Sequence, residues 1–280
     1  MNTLLVIGSG TMGAGLVLCA AQKGCKAYLY NPREASCKKA LAELGKRLSS
    51  QVERQKISAA EKDAITGRVV GITALAAAQG VDLVIEAAPE NMALKKEIFR
   101  ELDQSFAPPV ILGTTTSSLS ITEIASAAKN PERVIGLHFF NPVPVMALLE
   151  IIRGARTADE TYAKALELAK ILEKTAVTVN DGPGFVVSRV LVPMINEAAM
   201  IYGEGLAGAA DIDTAMMLGA GHPMGPLALG DLIGLDTCLK VLDVLYNDTR
   251  DSRYRPAPAL LQKVRAGLFG RKTGEGFFKY

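Results

Sequence analysis

Between the apolar run Leu4-Leu5-Val6-Ile7 and a helical stretch from Ala14 to Lys23 lies Gly8-Ser-Gly10-Thr-Met-Gly13, and a second apolar run, Ala27 to Tyr30, follows Gly24. Strand, glycine turn, helix and strand in that order is the context that gives a G-x-G-x-x-G triplet meaning. Gly8 allows the tight turn, Gly10 lets the backbone approach a pyrophosphate, and Gly13 lets helix and strand pack closely. The unpaired N–H groups at the start of the helix then face the anion. The chain is therefore expected to begin with a dinucleotide-binding unit whose contacts include Gly8, Gly10, Thr11, Met12 and Gly13.

The stretch from Arg33 to Arg68 is long for such a fold, because the next strand, Val69 to Ile72, is due sooner. It is charged but keeps Leu41, Leu44, Leu48 and Val52 near helical spacing, which predicts an inserted helical hairpin. Its basic residues, Arg47, Arg54 and Lys56 among them, form either a solvated face or a site for substrate phosphates. Strand patterns resume at Val81 to Glu86, Val110 to Leu112, Arg133 to Leu137, Met146 to Ile152 and Ala176 to Val179. Helical stretches separate several of them, which argues an α/β fold with a parallel, Rossmann-like doubly wound sheet. After Asp181-Gly-Pro-Gly184 every segment reads helical: Phe185 to Gly203, Asp211 to Leu218, Gly225 to Leu245 and Ala257 to Ala266. The expected division is a dinucleotide-binding domain over 1–182 and a small all-helical substrate and dimerisation domain over 183–280.

Composition narrows the function classes. A net charge of +2 with mixed signs gives no reason to expect a nucleic-acid partner. The four cysteines make no C-x-x-C pair and no metal spacing, so free thiols and no metal site are expected. No apolar run is long enough to cross a bilayer, and Met1 stands too close to the first strand for a leader. These features predict a cytoplasmic protein without a membrane partner.

One histidine of only two, His138, lies in Gly-Leu-His-Phe-Phe-Asn-Pro-Val-Pro144. Oxidising an alcohol near neutral pH needs a group that takes its proton, and histidine titrates closest to that range. If the runs holding His138 and Glu150 are neighbouring strands, the carboxylate faces the ring and orients it; the plainer reading is a core histidine satisfied by backbone. Thr114-Thr-Thr-Ser117-Ser118 follows a strand, at the edge where open α/β sheets bind ligands. Ser117 is the candidate donor to a substrate oxygen, whereas Ser120 with Glu123 fits a helix-capping box. Glu90 either binds ribose hydroxyls or caps the helix near Asn91, and Lys95 either pairs with Glu90 or is solvated. His222, between glycines in the helical part, shapes a turn.

The motifs G-S-G-T-M-G, V-I-E-A-A-P-E, T-S-S-L-S-I-T-E, G-L-H-F-F-N-P-V-P-V-M, G-P-G-F-V-V-x-R, G-H-P-M-G-P and the terminal G-R-K-T-G-E-G-F-F-K-Y together resemble the L-3-hydroxyacyl-CoA dehydrogenases. The resemblance runs the length of the chain. It implies His138 as general base, Glu150 as its orienting partner and Ser117 as donor to the 3-oxygen. It also implies cofactor contacts from Glu90, Lys95 and Asn141, a coenzyme A thioester in the interdomain cleft, and a homodimer through the helical domain. Arg54, with Arg47 and Lys56 behind it, is then expected to hold coenzyme A phosphates.

Three positions depart from the family pattern. Thr115 stands for an asparagine, Ser188 for the asparagine before Arg189, and Asn31 for the acid that usually ends the second strand. An acid there repels a 2′-phosphate; Asn31 with Arg33 nearby favours NADP over NAD. Ser188 keeps one donor toward the substrate but is shorter. The expectation is a short-chain 3-hydroxyacyl-CoA dehydrogenase using NADP or NAD. The alternatives are a dehydrogenase of a free 3-hydroxy acid on the same fold, and a non-catalytic nucleotide-binding protein.

Overall fold

Leu4 to Ile7 are buried without alternation, as a strand covered on both faces requires. The computed structural model describes residues 1–280, which divide into two compact units, Met1–Asp181 and Gly182–Tyr280. In the first, β1 (Thr3–Ile7), α1 (Thr11–Gln22) and β2 (Lys26–Tyr30) form the expected unit, with β1 and β2 parallel from Thr3 opposite Lys26 to Ile7 opposite Tyr30.

The hairpin follows as α2 (Glu34–Glu53) and α3 (Ala59–Gly67). Cys37, Ala40, Leu44 and Leu48 make the buried stripe of α2, at the spacing of one helix face. Ser58 starts α3 with a reciprocal cap: its hydroxyl accepts from the Glu61 amide while the Glu61 carboxylate accepts from the Ser58 amide.

The chain then runs β3 (Val69–Ile72), β4 (Leu83–Glu86), α4 (Met92–Ser105), β5 (Ile111–Thr114), α5 (Ile121–Ala125), β6 (Val134–Phe139), β7 (Leu148–Arg153), α6 (Asp159–Ile171) and β8 (Thr175–Asn180). The eight strands form one sheet in the order β3-β2-β1-β4-β5-β6-β7-β8. Six of its seven pairings are parallel, and β6 with β7 is the antiparallel exception. The parallel, doubly wound sheet expected from the sequence is present, with this one pairing as its departure. The link from Phe140 to Ala147 is too short for a crossover helix, so the chain turns back on itself. Met146, expected within the strand, lies in this link and is exposed. Ile7, Glu86 and Thr114 stand side by side in the register of β1, β4 and β5, which aligns the segments after them along one edge.

A buried ion pair ties α4 to the start of β6. Arg133 donates to Asp103 Oδ1 from Nη2 at 2.7 Å and from Nε at 3.2 Å, and the Lys129 amide donates to Oδ2 at 2.8 Å. Burial pushes the Asp103 carboxyl up, but the hydrogen bonds from Arg133, Asn130 and Lys129 outweigh it, and its pKa is lowered. A depressed carboxyl stabilises the fold above its unfolded pKa and loses that contribution as pH falls through the folded value. Asp103→Asn is therefore expected to cost about 3 kcal/mol at pH 7, because it leaves Arg133 without its charge partner. In urea unfolding the gap between variant and wild type should close as the pH is taken below about 4. A gap that stays constant down the pH series would show that the Asp103 charge contributes nothing.

The second unit is helical: α7 (Val187–Gly203), α8 (Ala209–Gly219), α9 (Pro226–Ile233), α10 (Leu235–Thr249) and α11 (Pro258–Arg265). The single stretch read from Gly225 to Leu245 is corrected to two helices, because Gly234 at φ +103° ends α9. Ile195, Leu227, Leu235, Leu242, Leu245 and Leu260 are wholly buried at its core. Asp213 accepts from the Leu227 and Ala228 amides and so holds the start of α9. No helix of the chain is long and apolar enough to cross a membrane, and all four cysteines are free and buried.

Candidate active site

His138 and Glu150 are directly opposite each other in the antiparallel pairing of β6 and β7, so their side chains share a face of the sheet. His138 Nδ1 lies 2.6 Å from Glu150 Oε2, and both side chains are almost wholly buried. An ionised carboxylate only accepts, so Nδ1 carries the proton and Nε2 is the nitrogen able to take another. The Phe140 ring packs on the imidazole with centroids 4.5 Å apart, which fixes the ring from a second side.

At the same edge of the sheet, just beyond the C-terminal end of β1, the glycine turn forms a cradle. Gly8 adopts φ +107°, and a Cβ on Gly13 would lie 1.9 Å from the Gly8 carbonyl oxygen, so neither position accepts a side chain. A Cβ on Gly10 would meet nothing within 4 Å. Helix α1 starts here with no side-chain cap and no acid in its first turn, leaving its N–H groups to an anion. A cavity of about 930 Å³ opens beside it, lined by Gly10, Thr11, Met12, Asn31, Arg33 and Arg47 among others. These residues fit a dinucleotide. The Asn31 amide donates to Ser9 Oγ at 2.8 Å and its oxygen accepts from the Arg33 amide, so Asn31 braces the turn as well as lining the cavity.

Glu90 is not the helix cap, and Lys95 pairs with Glu90 as one reading expected, though more closely with Glu86. Asn91, not Glu90, caps α4, accepting from the Leu94 amide at 2.9 Å. Glu90 Oε1 instead gathers the turn after β5, accepting from Thr116 Oγ1 at 2.5 Å, the Ser117 amide at 3.0 Å, the Ser118 amide at 3.3 Å and Ser118 Oγ at 3.2 Å. Lys95 is not solvated: it is wholly buried and donates to both oxygens of Glu86, at 2.7 and 2.9 Å, while Glu90 stands 3.6 Å away. Glu86 was missed in the sequence. The signal was an acid closing the apolar strand Val84-Ile85-Glu86, with Lys95 on the buried stripe of α4 beside Phe99 and Leu102.

Other candidates are placed as follows. Ser117 and Thr115 are half-buried in the turn that Glu90 clasps, and Asn141 is exposed just beyond β6. Ser120 accepts from the Glu123 amide, but the Glu123 carboxylate pairs with Lys96, so only half of the expected box forms. Arg54 ends α2 and Lys56 follows it, both exposed, whereas Arg47 lines the dinucleotide cavity instead of joining them. Ser188 lies in the first turn of α7, in the second unit. His222 lies between α8 and α9, its amide donating to the Met216 carbonyl.

Residues 3–182 match the family model of the 3-hydroxyacyl-CoA dehydrogenase NAD binding domain, and residues 184–280 match that of the 3-hydroxyacyl-CoA dehydrogenase C-terminal domain. The chain is similar to the 3-hydroxybutyryl-CoA dehydrogenase of Clostridioides difficile, at 49% identity over 277 residues and 99% of each protein. It is 47% identical over 280 residues to a probable 3-hydroxybutyryl-CoA dehydrogenase of Bacillus subtilis, covering 100% of this chain and 98% of that one. Its fold superposes on the crystal structure of (S)-3-hydroxybutyryl-CoA dehydrogenase from Ralstonia eutropha with a TM-score of 0.96 at 44% identity, covering 100% and 99% of the two chains.

Proposed function

The chain belongs to the 3-hydroxyacyl-CoA dehydrogenase family, and we propose that it interconverts an L-3-hydroxyacyl-CoA of short chain and the 3-ketoacyl-CoA through the pair His138 and Glu150. The observation that carries this reading is the 2.6 Å contact between His138 Nδ1 and Glu150 Oε2 in a buried strand register. A bound nicotinamide cofactor supplies the acceptor or donor of hydride at C3 of the substrate. His138 Nε2 takes the hydroxyl proton during oxidation and returns it during reduction. Glu150 offsets the charge of the imidazolium that forms, and the Ser117 hydroxyl donates to the 3-oxygen as its charge grows. Gly8, Gly10 and Gly13 with the α1 N-terminus hold the pyrophosphate, and Glu90 and Asn141 line the nicotinamide side; Lys95, wholly buried against Glu86, makes no contact of its own with the cofactor. Arg54 and Lys56 hold coenzyme A phosphates.

The test is reduction of acetoacetyl-CoA against free acetoacetate, each with NADPH and NADH. Turnover of the thioester alone is expected. Equal use of the free acid would favour the 3-hydroxy acid alternative, and no turnover of either would favour the non-catalytic one.

For the cofactor, the neutral Asn31 and the exposed Arg33 support NADPH, with Lys39 on the same cavity wall. One charge-assisted contact to a 2′-phosphate contributes roughly 1.5–3 kcal/mol, about ten- to a hundredfold in preference. NADPH is therefore expected to give the higher kcat/KM, and equal or better efficiency with NADH overturns this preference, which the NAD binding description of the matching family model opposes.

Exposed Val190, Leu206 and Leu218, at 68%, 76% and 82%, support a homodimer through the second unit. The full chain is expected to sediment as a dimer and a chain ending at Asp181 as a monomer; a dimeric fragment moves the interface to the first unit. The four free thiols support a reducing, cytoplasmic compartment.

A further inference from the structure

Glu86 is wholly buried at the end of β4 and has no part in the chemistry above. An ionised carboxylate is stable there only with matched donors. It has them: Lys95 Nζ to both oxygens, Thr114 Oγ1 to Oε2 at 2.6 Å and the Ala88 amide to Oε1 at 2.6 Å. The Lys95 ammonium thereby sits closer to Glu86 than to Glu90, its distance to Glu90 Oε2 being 3.6 Å. That leaves Glu90 Oε1 to the four donors of Thr116, Ser117 and Ser118.

Charges of alternating sign thus run from the strand to the turn. Glu86 fixes Lys95, Lys95 steadies Glu90 from below, and Glu90 clasps the backbone that carries Ser117. The side chain of Glu90 is 35% exposed, so of the two acids it is the one free to shift. Without the charge on Glu86, the nearest anion for the buried ammonium is Glu90, and a move toward it competes with the turn's donors. We propose that Glu86 is a positioning residue that sets the Thr115–Ser118 turn, and with it the Ser117 hydroxyl, through Lys95 and Glu90. The proposal rests on the reading of Ser117 as donor to the 3-oxygen. A plain stabilising ion pair would change the melting temperature and not the turnover of each folded enzyme.

The experiment compares Glu86→Gln, Ser117→Ala and the double variant on acetoacetyl-CoA, with kcat and KM normalised to folded protein. Glu86→Gln alone is expected to lower kcat by about tenfold or more, since small misplacements near reacting atoms are costly. In the Ser117→Ala background the same change is expected to cost less than roughly twofold, because residues acting as a unit are non-additive. Unchanged kcat, or equal losses in both backgrounds, overturns the proposal. If Glu86→Gln does not fold, Thr114→Val removes a donor to the same carboxylate and leaves the ion pair; its loss must show the same dependence on Ser117. Ser117→Ala alone keeps the two ideas apart. Full turnover there sinks the role given to Ser117, whereas a slow Ser117→Ala with equal losses from Glu86→Gln sinks only the role given to Glu86.

Discussion

His138→Gln is expected to lower kcat on acetoacetyl-CoA by a factor of about 100 or more, with cofactor affinity close to wild type. Glutamine keeps an N–H for the Glu150 carboxylate, so the buried acid is not stranded and the variant should fold. What it lacks is a nitrogen that takes and returns a proton. The other histidine, His222, belongs to a turn between α8 and α9 and offers no substitute within the first unit. The glycine cradle lies at the ends of β1 and β4, on elements that the substitution does not touch. Steady-state kinetics at saturating substrate, paired with a titration of cofactor fluorescence, measures both quantities. A variant that keeps a substantial fraction of wild-type turnover removes His138 from the role of base, whatever its contact with Glu150.

How much of this was legible before the structure depends on the period of the pattern. The glycine turn, the alternation of strands and helices and the hairpin stripe Leu44 and Leu48 are local, and local spacing suffices to read them. His138 and Glu150 were also legible as a possible pair, since each sits in a short apolar run and two prolines mark the link between. Their antiparallel direction was hidden in the shortness of that link, which rules out a crossover. The pair Glu86 and Lys95 was not read because a lysine next to Lys96 and Glu97 looks solvated. Only its place on the stripe with Phe99 and Leu102 shows that it points inward. Glu90 was read from its neighbours in sequence, but its partners come from the turn after β5, across the sheet edge. The break at Gly234 lay within a stretch whose apolar residues fit one helix, and a backbone angle, not a pattern, divides it.

The second large effect concerns the C-terminal tail, which Asp231→Ala should release. Asp231 lies on α9 and is 1% exposed. Its Oδ1 accepts from the Phe277 amide at 3.0 Å, and its Oδ2 accepts from the Phe278 amide at 2.9 Å and the Tyr280 hydroxyl at 3.2 Å. These bonds seat Phe277 in the helical core, where its ring meets that of Tyr202 edge-on with centroids 5.3 Å apart. Alanine removes the acceptor of every one of them, and a buried donor left unpaired costs about 1–3 kcal/mol. The Phe277 amide bears that in full, while Phe278 and Tyr280 recover part of theirs from water, so a total of roughly 3–5 kcal/mol is expected. Against a stability of about 5–15 kcal/mol for a domain, this is a large share. For a unit of this size it corresponds to a fall on the order of 10–20 °C in the calorimetric transition of the helical unit. Tyr280→Phe removes one bond and no buried backbone partner, and should cost about 1 kcal/mol. The contrast between the two separates a tail held by a buried carboxylate from one held by its aromatic rings alone. If Asp231→Ala melts no lower than Tyr280→Phe, the rings hold the tail and the carboxylate adds nothing measurable.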